Sequence, residues 1–218
     1  MSTWSCYAVT MRKKRPYHHG NLRQALIDAA LELIEERGVP ALTLREVARR
    51  VGVTHAAPQR HFADRAALVA AVAEQGFRGL RAHMEAVRAS APARVPSQRL
   101  RALGVAYVEY ALAHPAHLRV MFSPEVADKS RHPQLAAAAQ EVHETLVKQI
   151  VEGQRQGAVA PGDPDELSFA AWSMVHGCAI LLIDGQASRR SPAASIDAAV
   201  DRLHLGLAPR APARKRRR

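Results

Sequence analysis

The segment Thr43–Phe62, TLREVARRVGVTHAAPQRHF, concentrates the side chains best suited to reading a nucleic acid. Within it, Thr54, His55, Ala56, Ala57, Gln59, Arg60 and His61 form a run of small and polar residues. Such a surface can enter a groove and exchange hydrogen bonds with base edges and phosphates. The preceding residues predict how the run is held. Thr43-Leu44-Arg45-Glu46 has the Thr-x-x-Glu spacing of a capping box, and Leu44, Val47, Ala48 and Val51 give the helix after it an apolar face. Gly52 breaks that helix, and Thr54 is placed to cap a third one running to about His61. A short capped helix, a glycine turn and a second short helix make a helix-turn-helix, whose first helix braces against the backbone while the second lies in the major groove. Two short helices around a glycine also occur in ordinary helical bundles, so the pattern alone leaves both readings open.

Other chemistry finds little support. The eleven histidines, His18-His19 and His114-x-x-His117 among them, match no zinc spacing, and Cys6 and Cys178 are too few for a disulfide framework or a cysteine metal site. No Gly-x-Ser-x-Gly elbow, phosphate-binding loop or Gly-x-Gly-x-x-Gly turn is present. The expectation is a protein with no metal or cofactor and no enzymatic activity. Trp172 and His176 are four apart and share a helix face. They suit either the wall of an effector pocket or a packed tryptophan beside a hydrogen-bonded core histidine. Tyr107, Tyr110, Met121 and Phe122 are large, apolar and few, and suit the same cavity or the core equally.

The charge is distributed unevenly. The chain of 218 residues has 31 basic and 20 acidic side chains, a net charge of +11. Arg12, Lys13, Lys14 and Arg15 near the start, and Arg210, Arg214, Lys215, Arg216, Arg217 and Arg218 at the end, stand in stretches without an acid. Without those ten, 21 basic residues face 20 acidic ones, so the excess sits in two ends suited to polyanion contact. A solubilising role would also account for the C-terminal run. The longest strictly apolar runs, Ala66–Ala73 and Cys178–Ile183, fall short of a membrane span, and Met1–Thr10 lacks the features of a secretory signal, so a cytoplasmic protein without membrane contact is expected.

The elements that position these residues are helical nearly throughout. Leu22, Ala25, Leu26, Ala29, Ala30, Leu33 and Ile34 trace one helix face between a capping Asn21 and a terminating Gly38. Asp64 is placed to cap a long helix from Arg65 to near Ala91. Pro92–Pro96 breaks it, and Ser97 is placed to cap the next, which ends before Pro115. Leu118–Phe122 is a short apolar segment. Helices are then predicted over about His132–Gln156, from Asp163-Pro164 to near Gly185, and from Ser191-Pro192 onward with Ile196, Val200, Leu203 and Leu207 on one side. The helix after Pro164 is apolar around most of its circumference, which predicts burial on more than one side and suggests a subunit interface, although a monomeric bundle core has the same pattern.

Two stretches, YHHGNLRQALIDAALELIEERG and ALTLREVARRVGVTHAAPQRHFADRAALVAAV, closely resemble the N-terminal domain of the TetR family of bacterial transcription repressors. Trp172-Ser173-Met174-Val175-His176-Gly177 resembles the Trp-x-x-x-His-Gly signature of one C-terminal domain type in that family. The resemblance implies an all-α fold, in which a three-helix helix-turn-helix domain is joined through a long helix to a C-terminal bundle that dimerises and holds a small-molecule pocket. It divides the chain into a basic arm (1–16), a DNA-binding domain (17–80), an effector-binding and dimerisation domain (81–207) and a basic disordered tail (208–218). The implied partners are a palindromic double-stranded operator, a small-molecule effector and a second copy of the chain.

For DNA contact the expected residues are Arg12, Lys13, Lys14, Arg15, Tyr17, Thr43, Arg45, Thr54, His55, Ala56, Gln59, Arg60 and His61. Thr54, His55, Ala56 and Gln59 are expected at base edges, and Phe62 in the core. Tyr107, Tyr110, Met121, Phe122, Trp172 and His176 are the expected pocket residues. Gln59 departs from the family pattern, which commonly reads Tyr-x-His-Phe there. Glutamine donates to phosphate or pairs with adenine. Pro58 is expected to cost the recognition helix one hydrogen bond at most, and Met11, directly before the basic arm, is expected to be the start.

Overall fold

The computed structural model describes residues 21–90, 96–186 and 191–209. Among these it forms eight α-helices and no strand: α1 (Leu22–Arg37), α2 (Leu44–Val51), α3 (Arg65–Ser90), α4 (Pro96–Ala113), α5 (Pro115–Met121), α6 (Pro133–Arg155), α7 (Pro164–Ile183) and α8 (Pro192–Leu207). The all-α expectation holds. The basic arm, Tyr17 and almost all of the C-terminal tail lie outside the described residues.

Local sequence sets the ends of the first elements. Asn21 Oδ1 accepts from the Gln24 amide at 3.2 Å and starts α1. Gly38, at φ 78°, ends it in a conformation that a side chain would strain. Leu26, Ile27, Ala30, Leu33 and Ile34 form the buried face. Thr43 Oγ1 accepts from the Glu46 amide at 3.1 Å, and Gly52 closes α2 in the left-handed region at φ 81°. The capping box is only half made. Instead of reaching back to the cap, the Glu46 carboxylate takes two hydrogen bonds from Arg49, at 2.9 and 2.6 Å.

The expected third helix does not form. Residues 55–57 make a turn, and Pro58–Arg60 is a single 3-10 turn. The physical cause is Pro58. In an α-helix capped by Thr54 its missing amide would have been the donor to the Thr54 carbonyl, and its ring would crowd that same oxygen. Shorter bonds replace the helix: the Ala57 amide donates to the Thr54 carbonyl at 3.0 Å and the His61 amide to the Pro58 carbonyl at 2.9 Å. The proline therefore costs more than one bond, turning the expected α-helix into 3-10 turns, with an α-type bond kept from the Phe62 amide to the Pro58 carbonyl at 2.9 Å. Elsewhere, α4 starts at Pro96, ahead of the expected Ser97 cap, and the apolar segment 118–122 falls largely within α5.

Helix α3 is the spine. Its 26 residues span about 39 Å at the helical rise. It packs against α1 at its start and against α4, α5 and α6 along its length. Gly76 permits the approach of α5, since a Cβ there would lie 2.7 Å from Met121 Sδ and 3.2 Å from the His117 ring. The Gly76 carbonyl also accepts from the Tyr110 hydroxyl at 3.0 Å. At Gly79 a Cβ would collide with the same hydroxyl.

Substituting Gly76→Ala should lower stability by about 1–3 kcal/mol in urea unfolding through overpacking, although alanine is the better helix former. Burial beside His114 lowers the His117 pKa from 6.5 to about 4, against a weaker opposing pull from Asp28. Because the folded pKa lies below the unfolded one, this stabilisation is present above about pH 6.5 and lost as pH falls toward 4. The melting temperature of the wild type should fall across that window, and His117→Phe should flatten the fall.

Candidate nucleic-acid interface and small-molecule cavity

The turn between α2 and α3 presents the expected reading surface in a different backbone form. Thr54, His55, Ala56, Gln59, Arg60 and His61 are all exposed, whereas Pro58 and Phe62 are buried. Phe62, 3% exposed, anchors the loop in the core, and the Arg23 guanidinium stacks 5.4 Å from its ring centroid. Thr43 is exposed, but its hydroxyl oxygen is engaged as the cap of α2.

Ion pairing sorts the arginines of α2. Arg49 is tied to Glu46, whose carboxyl is pulled down to about 2 by that hydrogen bond. Arg50 is held by Glu36, a pairing that holds the Glu36 carboxyl below its ordinary range. Arg45 and Arg60 are exposed and have no acidic partner among the described residues. A cation already paired with a carboxylate gains less from a phosphate than an unpaired one. The distinction between Arg45 and Arg49 follows the helix spacing: Arg49 has Glu46 three residues before it, whereas no acid lies three or four residues from Arg45.

Arg65, which the sequence did not mark, fixes this surface to the rest of the molecule. From the start of α3 its Nε donates to the Leu42 carbonyl at 2.8 Å and its Nη2 to the Val39 carbonyl at 2.7 Å. The same guanidinium lies 3.6 Å from Glu125, in the segment after α5. It thus satisfies two carbonyls of the chain entering α2 and reaches the C-terminal bundle.

Within that bundle, α3, α4, α6 and α7 line a partly open cavity of about 360 Å3, a volume in the range of small-ligand sites. Phe77, Leu80 and Met84 line it from α3, Leu103 and Tyr107 from α4, Ala139, Val142, His143 and Leu146 from α6, and Trp172 and Val175 from α7. Phe122 and Lys129 close one side. Of the six expected pocket residues, Tyr107, Phe122 and Trp172 line this space. Tyr110 and Met121 do not: both belong to the seam of α3 with α4 and α5, packed at Gly76. His176 stands behind the wall.

His176 and Trp172 are nevertheless joined through Tyr107. The Tyr107 hydroxyl lies 2.7 Å from His176 Nδ1, and Trp172 Nε1 donates to it at 3.4 Å. Burial raises the Tyr107 pKa and lowers that of His176, so at neutral pH the phenol keeps its proton and the imidazole is neutral. Trp172 can only donate, so the hydroxyl accepts from it, while the direction of the Tyr107–His176 bond follows the imidazole tautomer. The spacing Trp172-x-x-x-His176 pointed to both residues; their common partner on α4 was not legible. The other missed lining residues, Phe77 and Lys129 among them, carry no motif, because their convergence depends on how four helices cross.

An exposed helix-turn-helix-like loop at one end of a long helix, with an apolar cavity along its other half, defines a two-domain all-α DNA-binding protein. Residues 26–72 match the model of "Bacterial regulatory proteins, tetR family", and residues 100–203 match "Tetracyclin repressor-like, C-terminal domain". The chain belongs to the TetR family of transcriptional regulators. It is 37% identical over 81 residues to the HTH-type transcriptional regulator BetI of Rhizobium meliloti (strain 1021), covering 37% of this chain and 39% of that one. The chain spans less than half the length of the curated relatives it matches. A protein of unknown function from Rhodococcus sp. RHA1 is similar over nearly the whole chain, at 37% identity, 89% of this chain, 100% of that chain and a TM-score of 0.77. The fold is shared with AibR at 18% identity, 83% of this chain, 97% of that chain and a TM-score of 0.66.

Arg45→Ala is expected to weaken DNA binding and to reduce the slope of log affinity against log salt by about one. Arg49→Ala, which releases Glu46 as well, should leave that slope nearly unchanged. Affinities measured by fluorescence anisotropy across a salt series would separate the two.

Proposed function

We propose that the protein is a cytoplasmic, non-enzymatic, sequence-specific regulator that represses transcription until a small molecule releases it from a palindromic operator. The observation that carries this reading is the pairing of two features at the two ends of α3: Arg45 and Arg60, without acidic partners among the described residues, beside an exposed His55/Gln59 surface ahead of its start, and an apolar cavity against its far half. AibR, of the same fold, is known in complex with isovaleryl coenzyme A and operator DNA. In this reading residues 17–80 bind DNA and 81–207 bind effector and partner, with the boundary inside α3. Thr54, His55, Ala56 and Gln59 face base edges. Arg12, Lys13, Lys14, Arg15, Tyr17, Thr43, Arg45, Arg60 and His61 meet the backbone, and the C-terminal basic run adds polyanion affinity. No cofactor is invoked.

The working unit is a dimer. Helix α7 is long and apolar enough to cross a membrane, yet only 22% of its most apolar window is buried within the protomer. Whole-helix composition thus gives a different answer from the short apolar runs. Since α4, α6 and α8 already pack on α7, a bilayer cannot surround it. Exposed Phe169, Met174 and Leu181 on α7, with Leu205 on α8, are instead suited to burial against a second copy. Two reading surfaces about one helical turn of DNA apart then require an inverted repeat. An effector that binds better to the dimer with mis-spaced surfaces releases DNA, with coupling of about 1–3 kcal/mol.

Binding to the DNA upstream of its own gene, against scrambled DNA across a salt series, tests the reading. Preference for one inverted repeat, lost in His55→Ala plus Gln59→Ala, is the expected result. Equal binding to both DNAs that vanishes when residues 208–218 are removed would leave only a tail-driven polyanion binder. In a companion experiment, Phe169→Glu plus Leu181→Glu should shift the protein from dimer to monomer in sedimentation and reduce operator affinity.

A further inference from the structure

We propose that the cavity takes an amphipathic organic anion, an apolar body ending in a single acidic group that pairs with Lys129. The proposal rests on reading this cavity as the effector site and names the chemistry of what enters it. At roughly the 30 Å3 of a water molecule for each non-hydrogen atom, about 360 Å3 accommodates a body of about a dozen such atoms. The wall is hydrocarbon and aromatic over most of its extent, so apolar atoms enter favourably, while a polar atom without a partner is penalised. Ligand chemistry is therefore decided by the few polar side chains that line the space.

Most of those are already engaged. The Tyr107 hydroxyl is already hydrogen-bonded to His176 Nδ1 and receives the Trp172 N–H. His143 Nε2 lies 3.0 Å from Asp165 Oδ1, and Gln140 donates to Glu144 at the outer rim. Lys129 differs. It is half-buried, its Nζ sits 6.0 Å from the centroid of the Phe77 ring that lines the cavity, and no carboxylate pairs with it among the described residues. The acids nearest in sequence are committed elsewhere, Glu125 to Arg65 and Asp128 to Ser130. An ammonium beside an apolar space, with neighbouring acids already bonded, favours a carboxylate over an alcohol and repels an amine.

Isothermal titration of the full-length protein with decanoate, 1-decanol and decylamine tests this directly. Decanoate is expected to bind about ten-fold or more tighter than decanol, the factor of one charge-assisted hydrogen bond, with decylamine weakest. Lys129→Met should bring decanoate and decanol to similar affinity by weakening decanoate alone. Lys129→Arg should retain the preference, and Ala139→Phe, which fills the cavity, should weaken both. Equal affinities in the wild type, tightest binding of the amine, an unchanged ratio in Lys129→Met or no binding of any probe would each overturn the proposal. DNA selectivity measured on the same preparations keeps the two readings apart. Loss of operator preference with an intact decanoate preference overturns the regulator and leaves the ligand class standing, and the reverse result overturns the ligand class alone.

Discussion

The packing of α3 governs the rest of the structure. One helix carries at its start the guanidinium that pins the chain entering α2, in its middle the glycines that admit α5 and Tyr110, and beyond them the side chains that line the cavity. Arg65 shows why the linkage is stiff. Its planar guanidinium bonds two backbone carbonyls at once, an arrangement a lysine cannot reproduce. Movement of α3 relative to the bundle therefore bears directly on the loop that carries His55 and Gln59.

Electrostatics refines what the packing sets up. The N-terminal domain holds many arginines, but most are neutralised by neighbours: Arg49 by Glu46, Arg50 by Glu36. Such exposed pairs add little to stability. Their larger effect is to distinguish paired from unpaired cations. Among the described residues Arg45 and Arg60, beside the exposed turn after α2, are two of those left without an acidic partner, and Lys129 at the cavity is another. Chain-wide counts of basic residues conceal this, because a paired and an unpaired arginine contribute equally to net charge.

Pro58 marks the point where local sequence rules gave a mistaken geometry from correct ingredients. Thr54 has the chemistry of a cap and the following residues are small and polar, so a helix was a reasonable expectation. One missing amide four residues after the cap turned the segment into successive tight turns. The side chains remain exposed, held by Phe62 beneath them, so the surface survives although its backbone differs. Gln59, where the family commonly has an aromatic residue, sits within that altered turn.

By itself the sequence determined the all-α class, most helix ends, the polar turn after α2 and the family. These depend on contacts within a few residues: caps at Asn21 and Thr43, left-handed glycines at 38 and 52, and apolar spacing along α1. The tertiary structure decided which of the large apolar residues face open space. Tyr107 and Tyr110 are three apart on one helix, yet one lines the cavity and the other bonds the Gly76 carbonyl. It also decided which charges stand alone and that Trp172 meets His176 through a tyrosine 65 residues away. Those outcomes follow from where α3, α4, α6 and α7 cross, and crossing geometry is set by side chains far apart in sequence, which no local pattern encodes.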